Sequence, residues 1–404
     1  MLHLDRPAGR GAPGWLDRTM PRWLCALILV AISVVPVWYV AGHYSREHGF
    51  TELIYFGSDF KDSELPEVKA LHPATLSTGG YDGQSYAQLA MDPTMRRPDL
   101  QIAVPQIKYR SNRYLPILLS YIFGFGQPGA ILTAYVLLNI VFWFGMVALL
   151  VAYLRGRTPR QYACLVAAAM TTGALICIER SLGDLPGTTL ALGSVLIDGV
   201  GAAVLISLAA LCKPTFLMAA ARYAWPLPRD RRTFFQRAGL LLVAFAAPLA
   251  LHFYLRYTLG PLVEVARNLG WPFANWVPTE TENWHRLMAE PFLLWYFGIS
   301  NWEWKFFEFI APISMLIQAT HLAIWRDPRS PLWWLGATFA VLFVCLGQPV
   351  TVEEIASART VLPLAIAFNL RLAEQRGGIF WGYFIAGNFG LLWCWHDMIC
   401  WCVR

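Results

Sequence analysis

Charge is the scarcest commodity in this chain. Only 14% of its 404 residues are Asp, Glu, Lys or Arg, while 56% are hydrophobic and the mean hydropathy is +0.44. Soluble domains carry about 25% charged residues, so the shortage excludes a nucleic-acid-binding domain and a disordered tail. A cysteine framework is missing too, which excludes a disulfide-stapled secreted module. Of the eight cysteines, Cys25, Cys164, Cys177, Cys212 and Cys345 sit within apolar runs and read as small core residues. His396, Cys400 and Cys402 put two ligand types one helical turn apart, but three ligands without a fourth do not make a metal site. Also absent are an internal repeat and any polar stretch large enough to fold alone.

What is present is a series of apolar runs, each about 17–25 residues long, separated by clusters of charge. That is the length needed to cross a bilayer as a helix, so an all-α polytopic membrane protein is expected. The net charge of +6 fits this, because the Arg surplus falls where topology would place it. Residues 23–41 form the first expected span, an uncleaved anchor that leaves 1–22 in the cytoplasm. Residues 42–114 make the longest polar stretch, an extracytoplasmic loop. Further spans are expected at 128–154, 161–178, 238–259, 305–325, 333–346, 361–372 and 379–394, giving ten or eleven helices in one domain of 404 residues. Between 185 and 224 two readings compete. Either one span covers 190–211 with Asp198 at mid-depth, or two half-length helices form a re-entrant hairpin turning at Asp198-Gly199. An unpaired carboxylate at the bilayer centre is costly, which favours the hairpin.

The long loop holds the candidate chemistry. In Gly79-Gly80-Tyr81-Asp82-Gly83-Gln84-Ser85-Tyr86, glycines surround a carboxylate ahead of an expected amphipathic surface helix that ends at Asp92-Pro93. Asp82 as an ordinary helix N-cap is the competing reading. Lys108, Arg110 and Arg113 then put cations on the outer side, against the inside rule. Arg110 and Arg113 suit a phosphate at headgroup level, or else they snorkel to ordinary lipid phosphates.

The pattern Gly80-Tyr81-Asp82-Gly83-Gln84, with Ala90-x-Asp92-Pro93, Tyr109-Arg110-x-x-Arg113 and Leu115-Pro116, resembles the first outer loop of a bacterial group of GT-C-like membrane glycosyltransferases. Weaker echoes are Lys213-Pro214, closing a short helical hairpin, and Arg359-Thr360-Val361-Leu362-Pro363 at a late helix start. The resemblance implies a GT-C-like bundle in the bacterial inner membrane. It also implies transfer of a sugar from a polyprenyl-phosphate donor to an envelope glycan or lipid acceptor. On that reading Asp82 or Asp59 is the general base, and Gln84, Tyr86, Arg110, Arg113, Lys213 and Arg359 contact substrate. Trp271, Trp276, Trp284 and Tyr296 would stack on sugars, if they are not simply an interfacial aromatic belt. Glu353 and Glu354 would meet the acceptor, if they are not merely solvated. The chain departs from the group in lacking Asp-Asp, Asp-Glu or Asp-x-Asp near residue 45, so no cofactor is expected and a divalent metal has no support. Rival expectations are a flippase for a lipid-linked saccharide and a non-catalytic scaffold of an envelope-assembly complex.

Overall fold

The computed structural model describes residues 15–77, 79–225, 230–261, 268–289, 302–351, 354–375, 379–394 and 398–399. It is mostly helical, 76%. Numbering the helices longer than one turn in chain order gives α1 (Arg22–Gly42), α2 (Asp82–Leu89), α3 (Tyr114–Phe123) and α4 (Pro128–Leu154). Next are α5 (Pro159–Ala169), α6 (Thr172–Glu179), α7 (Asp184–Leu196) and α8 (Gly199–Cys212). Then come α9 (Arg231–Leu259), α10 (Trp276–Ala289), α11 (Trp302–Ile324) and α12 (Pro331–Val344). The last are α13 (Glu354–Thr360), α14 (Leu362–Glu374) and α15 (Phe380–Asn388).

Among the described residues four helices, α1, α4, α9 and α11, are long and apolar enough to cross a membrane. A fifth results if α5 and α6, bent by 40°, count as one span. Ten or eleven helices were expected, and only some of them have full spanning length, for a physical reason. An apolar run in the sequence can satisfy itself against protein as well as against lipid. Helix α14 is only 13 residues long, and all but its last turn is almost wholly buried. Segments of that length suit buried or re-entrant positions.

Of the two readings for 185–224, the structure has the hairpin. Helices α7 and α8 break at Ile197-Asp198, where Gly199 takes φ +67°, a left-handed value that glycine adopts without strain. They pack along each other, and the Asp184 and Lys213 side chains meet at the open end at 2.7 Å. The following 3-10 turn returns the chain toward the hairpin tip, where Arg222 Nη1 donates to the Ser194 carbonyl at 2.8 Å.

Helix α4 spans about 40 Å at 1.5 Å per residue and carries a polar layer at each end. At one end Tyr135 donates to the Ser181 carbonyl at 2.6 Å. At the other Tyr153 donates to Glu374, Arg160 reaches Asp17 and the Gln375 carbonyl, and Arg371 pairs with Asp327.

The long loop is ordered by α2, which does not lie on a membrane surface as expected. Every residue from Gly83 to Leu89 is buried. Its amides hold the surrounding backbone: Gln84 Oε1 accepts from Gly57 N at 3.0 Å, and Gln88 Oε1 accepts from Leu65 N at 2.9 Å. Two short parallel strands, β1 (Phe56–Gly57) and β2 (Thr75–Ser77), complete the loop. A side chain at Gly83 would meet the carbonyls of Arg180 and Ile54 at 2.7 and 2.8 Å, so only glycine lets α2 sit this deep.

The hairpin and the two polar layers lead to a labelling prediction. In a cysteine-depleted background, Asp62→Cys and Asp198→Cys should react with an impermeant maleimide from opposite sides of the membrane. Labelling of both from one side would refute the hairpin's placement.

Candidate functional site

The buried charges gather where α2, the 107–113 segment, the open end of the α7–α8 hairpin and the α13–α14 junction meet. Asp82 begins α2 but caps nothing. The N-cap is Tyr81, without a side-chain cap bond, and both Asp82 oxygens go to guanidiniums. Arg110 Nη2 donates to Oδ1 at 3.2 Å, and Arg359 Nη2 donates to Oδ2 at 3.1 Å. Arg359 turns its other nitrogen, Nη1, to Asp184 Oδ2 at 3.1 Å. Lys213 then donates to Asp184 Oδ1 at 2.7 Å and to Thr360 Oγ1 at 2.9 Å. Arg110 also donates to the Pro105 carbonyl, which fixes the loop below it.

Arg113 stands apart within the cluster. Its residue is 6% exposed, and among the described residues its side chain has one hydrogen bond, from Nη2 to the Tyr109 hydroxyl at 3.1 Å. The guanidinium lies 5.2 Å from the Tyr86 ring centroid and 4.9 Å from that of Tyr109. Among the described residues it forms no ion pair, and neither its Nε nor the Tyr86 hydroxyl has a hydrogen-bond partner. Cation–π contacts of this kind contribute about 0.5–2 kcal/mol, less than the several kcal/mol that burying an unpaired charge costs.

Three cations, Arg110, Lys213 and Arg359, thus share two carboxylates, Asp82 and Asp184, and Arg113 is a fourth cation beside them. A further shell joins Arg180, over the Tyr81 ring at 4.5 Å, to Glu179, which Cys394 Sγ approaches at 3.3 Å. Burial by itself raises the proton affinity of the Asp82 carboxyl. Arg359, Arg113 and Arg110 together outweigh it and hold the group well below the usual carboxylate range. Burial pushes the Tyr86 phenol well up, so it stays protonated.

Of the residues singled out in sequence, Asp82, Tyr86, Arg110, Arg113, Lys213 and Arg359 come together here. Gln84 lines the back of α2, with both ends of its amide bonded to backbone at Gly57 and Gly79. Asp59 is exposed on the 3-10 turn Ser58–Ser63, outside the cluster. Trp271 and Trp284 are exposed on the outward side of their segment, as an aromatic belt would be. Tyr296, Glu353, His396, Cys400 and Cys402 lie outside the described residues, as does the Glu354 side chain. Among the described residues no group of three His, Cys, Asp or Glu side chains is placed to hold a metal. Asp184 and Thr360 were not singled out from sequence. Their only signal was position, a carboxylate just after an apolar run and a hydroxyl beside Arg359.

Elsewhere, between α1, α5 and α15, an apolar groove of about 520 Å³ is lined by Met20, Ile28, Tyr162, Phe384 and Leu392. The groove runs from Met20 and Pro159, beside the Asp17–Arg160 pair, to Met170 and Leu392. Comparison with known family models, curated proteins and solved structures finds no match to the chain.

Two outcomes follow from this charge arrangement. Asp184→Asn leaves Arg359 and Lys213 short of a buried partner and should destabilise the protein by about 3–5 kcal/mol, read as a lower thermal midpoint in detergent. Adding Lys213→Met should recover part of that loss. For Asp82, whose native proton affinity is depressed below its ordinary 3.8, the stabilisation is complete above that value and is lost only as pH falls through the native one. Stability in Asp82→Asn should therefore lose its acid limb below about pH 4 and change little in slope between pH 5 and 8.

Proposed function

We propose that this chain is a GT-C-like membrane glycosyltransferase of the bacterial inner membrane, with about ten or eleven membrane-embedded helices and half-helices. It moves a sugar from a polyprenyl-phosphate donor to an envelope glycan or lipid acceptor on the outer side. The observation that carries the reading is Arg113, a buried guanidinium held by two tyrosines, with no carboxylate partner among the described residues. A site with surplus positive charge and orphaned N–H donors suits a dianionic phosphate, which accepts several charge-assisted hydrogen bonds at once.

The surrounding structure supports that assignment. The Arg-rich ends of α5 and α9 fit the cytoplasmic side by the inside rule, which puts the charged cluster at the opposite, outer end. The apolar groove between α1, α5 and α15 has a volume within the roughly 300–1,000 Å³ of ordinary ligand sites and suits a prenyl chain. Phosphate there competes with Asp82 for Arg110 and Arg359. As the bond between the anomeric carbon and the phosphate oxygen breaks, Arg113, Arg110, Arg359 and Lys213 stabilise the charge growing on the leaving phosphate. Asp82, clamped by two guanidiniums, is a weak base in this state. Its role is to hold Arg110 and Arg359 apart and aimed until the phosphate arrives.

Purified protein should bind undecaprenyl phosphate, and Arg113→Met should weaken that binding by about 100-fold, the scale of losing a buried charge-assisted contact. The same variant should keep or raise thermal stability, because it removes an unpaired buried charge. Loss of stability with binding intact would make Arg113 a structural residue and end the donor-site reading. Accumulation of unused donor on the outer leaflet in a deletion strain favours transfer; donor trapped on the cytoplasmic leaflet favours a flippase.

A further inference from the structure

Helix α10 turns polar side chains inward and apolar ones outward, as a helix against lipid does and one against water does not. Facing inward are Thr279, Glu280, Asn283 and Leu287, all at most 9% exposed, while Val277, Trp284 and Met288 are exposed together with Glu282, His285 and Arg286. An amphipathic surface helix ordinarily turns its apolar stripe to the core. Polar groups turned inward need polar partners, and here they are only partly met. Thr279 Oγ1 shares a hydrogen bond with Thr351 Oγ1 at 3.2 Å, and Asn283 Nδ2 donates to the Glu308 carbonyl at 3.3 Å. Glu280 Oε2 has no hydrogen-bond partner among the described residues.

Two routes tie this inward face to the cationic cluster. Ser357 Oγ, two residues before Arg359, donates to the Val350 carbonyl at 2.7 Å, and the next residue, Thr351, meets Thr279. The segment leading into α10 starts at Asn268, whose side chain donates to the Tyr109 hydroxyl at 3.0 Å, the same hydroxyl that receives Arg113. It is fastened along 345–347 through Gly270 N to the Cys345 carbonyl and Gly347 N to the Asn268 carbonyl, each 2.8 Å.

We infer that the inward face of α10 is the acceptor subsite of the proposed transferase, taking a neutral polyhydroxylated sugar, with Glu280 as the general base. This rests on the donor reading above and assigns the role that Asp82, clamped by arginines, fills poorly. The acceptor hydroxyl oxygen attacks the anomeric carbon of the donor. Its proton passes to the Glu280 carboxylate, the bond from that carbon to the phosphate oxygen breaks, and the electron pair leaves with polyprenyl phosphate. Thr279 and Asn283 orient the sugar hydroxyls.

The environment suits a base that works near neutrality. Burial pushes the Glu280 carboxyl up to about 8, with only the Asn283 side chain acting against it. Among the described residues the charged and titratable groups on the same stretch of α11 and on α10 itself are Glu303, Lys305 and Glu308, and Glu282, His285 and Arg286. Glu308 accepts from Trp304 Nε1, and Arg286 pairs with Glu282, so neither pair is directed at Glu280. A base is most effective when its proton affinity lies near the working pH.

Three measurements test the inference, using purified full-length protein in detergent. In wild type, dicyclohexylcarbodiimide should label Glu280 at pH 6–7, with labelling falling about 10-fold by pH 9 as the carboxyl ionises. A panel of methyl hexosides and pentosides should contain members that protect it. Glu280→Gln should bind undecaprenyl phosphate as wild type does and keep its thermal midpoint. With undecaprenyl-phosphoryl hexoses and pentoses as donors, its kcat should drop about 100-fold or more while the donor KM holds. Its remaining rate should lose the rise toward pH 8. Undecaprenyl phosphate bound normally, but with pH-independent labelling, no glycoside protection or full activity in Glu280→Gln, overturns the acceptor site alone. Failure of wild type to bind undecaprenyl phosphate overturns the donor reading instead. In that case glycoside protection of Glu280 still decides whether the α10 face binds sugar.

Discussion

The structure turns on the buried Arg359 guanidinium, which bridges two carboxylates. One guanidinium holds Asp82, at the start of the loop helix, and Asp184, at the mouth of the α7–α8 hairpin. Lys213 closes the hairpin on the same Asp184, and Arg110 ties the far side of Asp82 to the loop. Segments distant in sequence are thus fixed by four ion pairs in a chain poor in charge. Buried pairs of this kind add little net stability over apolar packing, but removing one partner strands the others. The cluster therefore acts as a registry device. It sets the depth of α2 against the hairpin, and the close approach of Gly83 to the Ile54 and Arg180 carbonyls allows that depth.

Satisfying the ion pairs does not use up the positive charge. Arg113 is held by aromatic faces and a phenol, which keep a guanidinium in place without neutralising it. That distinction separates the two kinds of buried cation in this protein. At the other end of α4, Arg160 finds Asp17, the Gln375 carbonyl and the Phe380 ring, and Arg371 finds Asp327 and Glu374. In that layer each of these arginines has a carboxylate partner, and the layer reads as fastening. The layer around Asp82 is not matched, and the mismatch favours an anion.

The α10 face adds a complementary observation. A largely neutral polar surface turned inward lies a few contacts from a cationic one, joined through Asn268–Tyr109 and Thr351–Ser357. One suits a phosphate and the other suits hydroxyl groups. Burial acts on both Asp82 and Glu280, but at Asp82 three arginines outweigh it, whereas at Glu280 the Asn283 side chain alone acts against it among the described residues.

Much of the fold was legible from hydropathy alone. The first helix and the 128–154 helix sit where apolar runs placed them, because helix length in an apolar setting depends on local composition. The cost of an isolated mid-membrane carboxylate likewise favoured the hairpin at Asp198. The number of full spans was not legible, since an apolar residue on α14 is equally at home against lipid or against helix α12. Local sequence also singled out Asp82, Arg110 and Arg113 as outer-side charges that topology does not require. It could not show that Asp82 would lie between two arginines, that Asp184 would share one of them, or that α10 would turn Glu280 inward. Those are contacts across long stretches of chain, and which charges pair is set by the packing that brings them within a few ångströms. The amino-acid sequence determined an apolar helical chain with a few misplaced cations, and the tertiary structure decided which of them are neutralised.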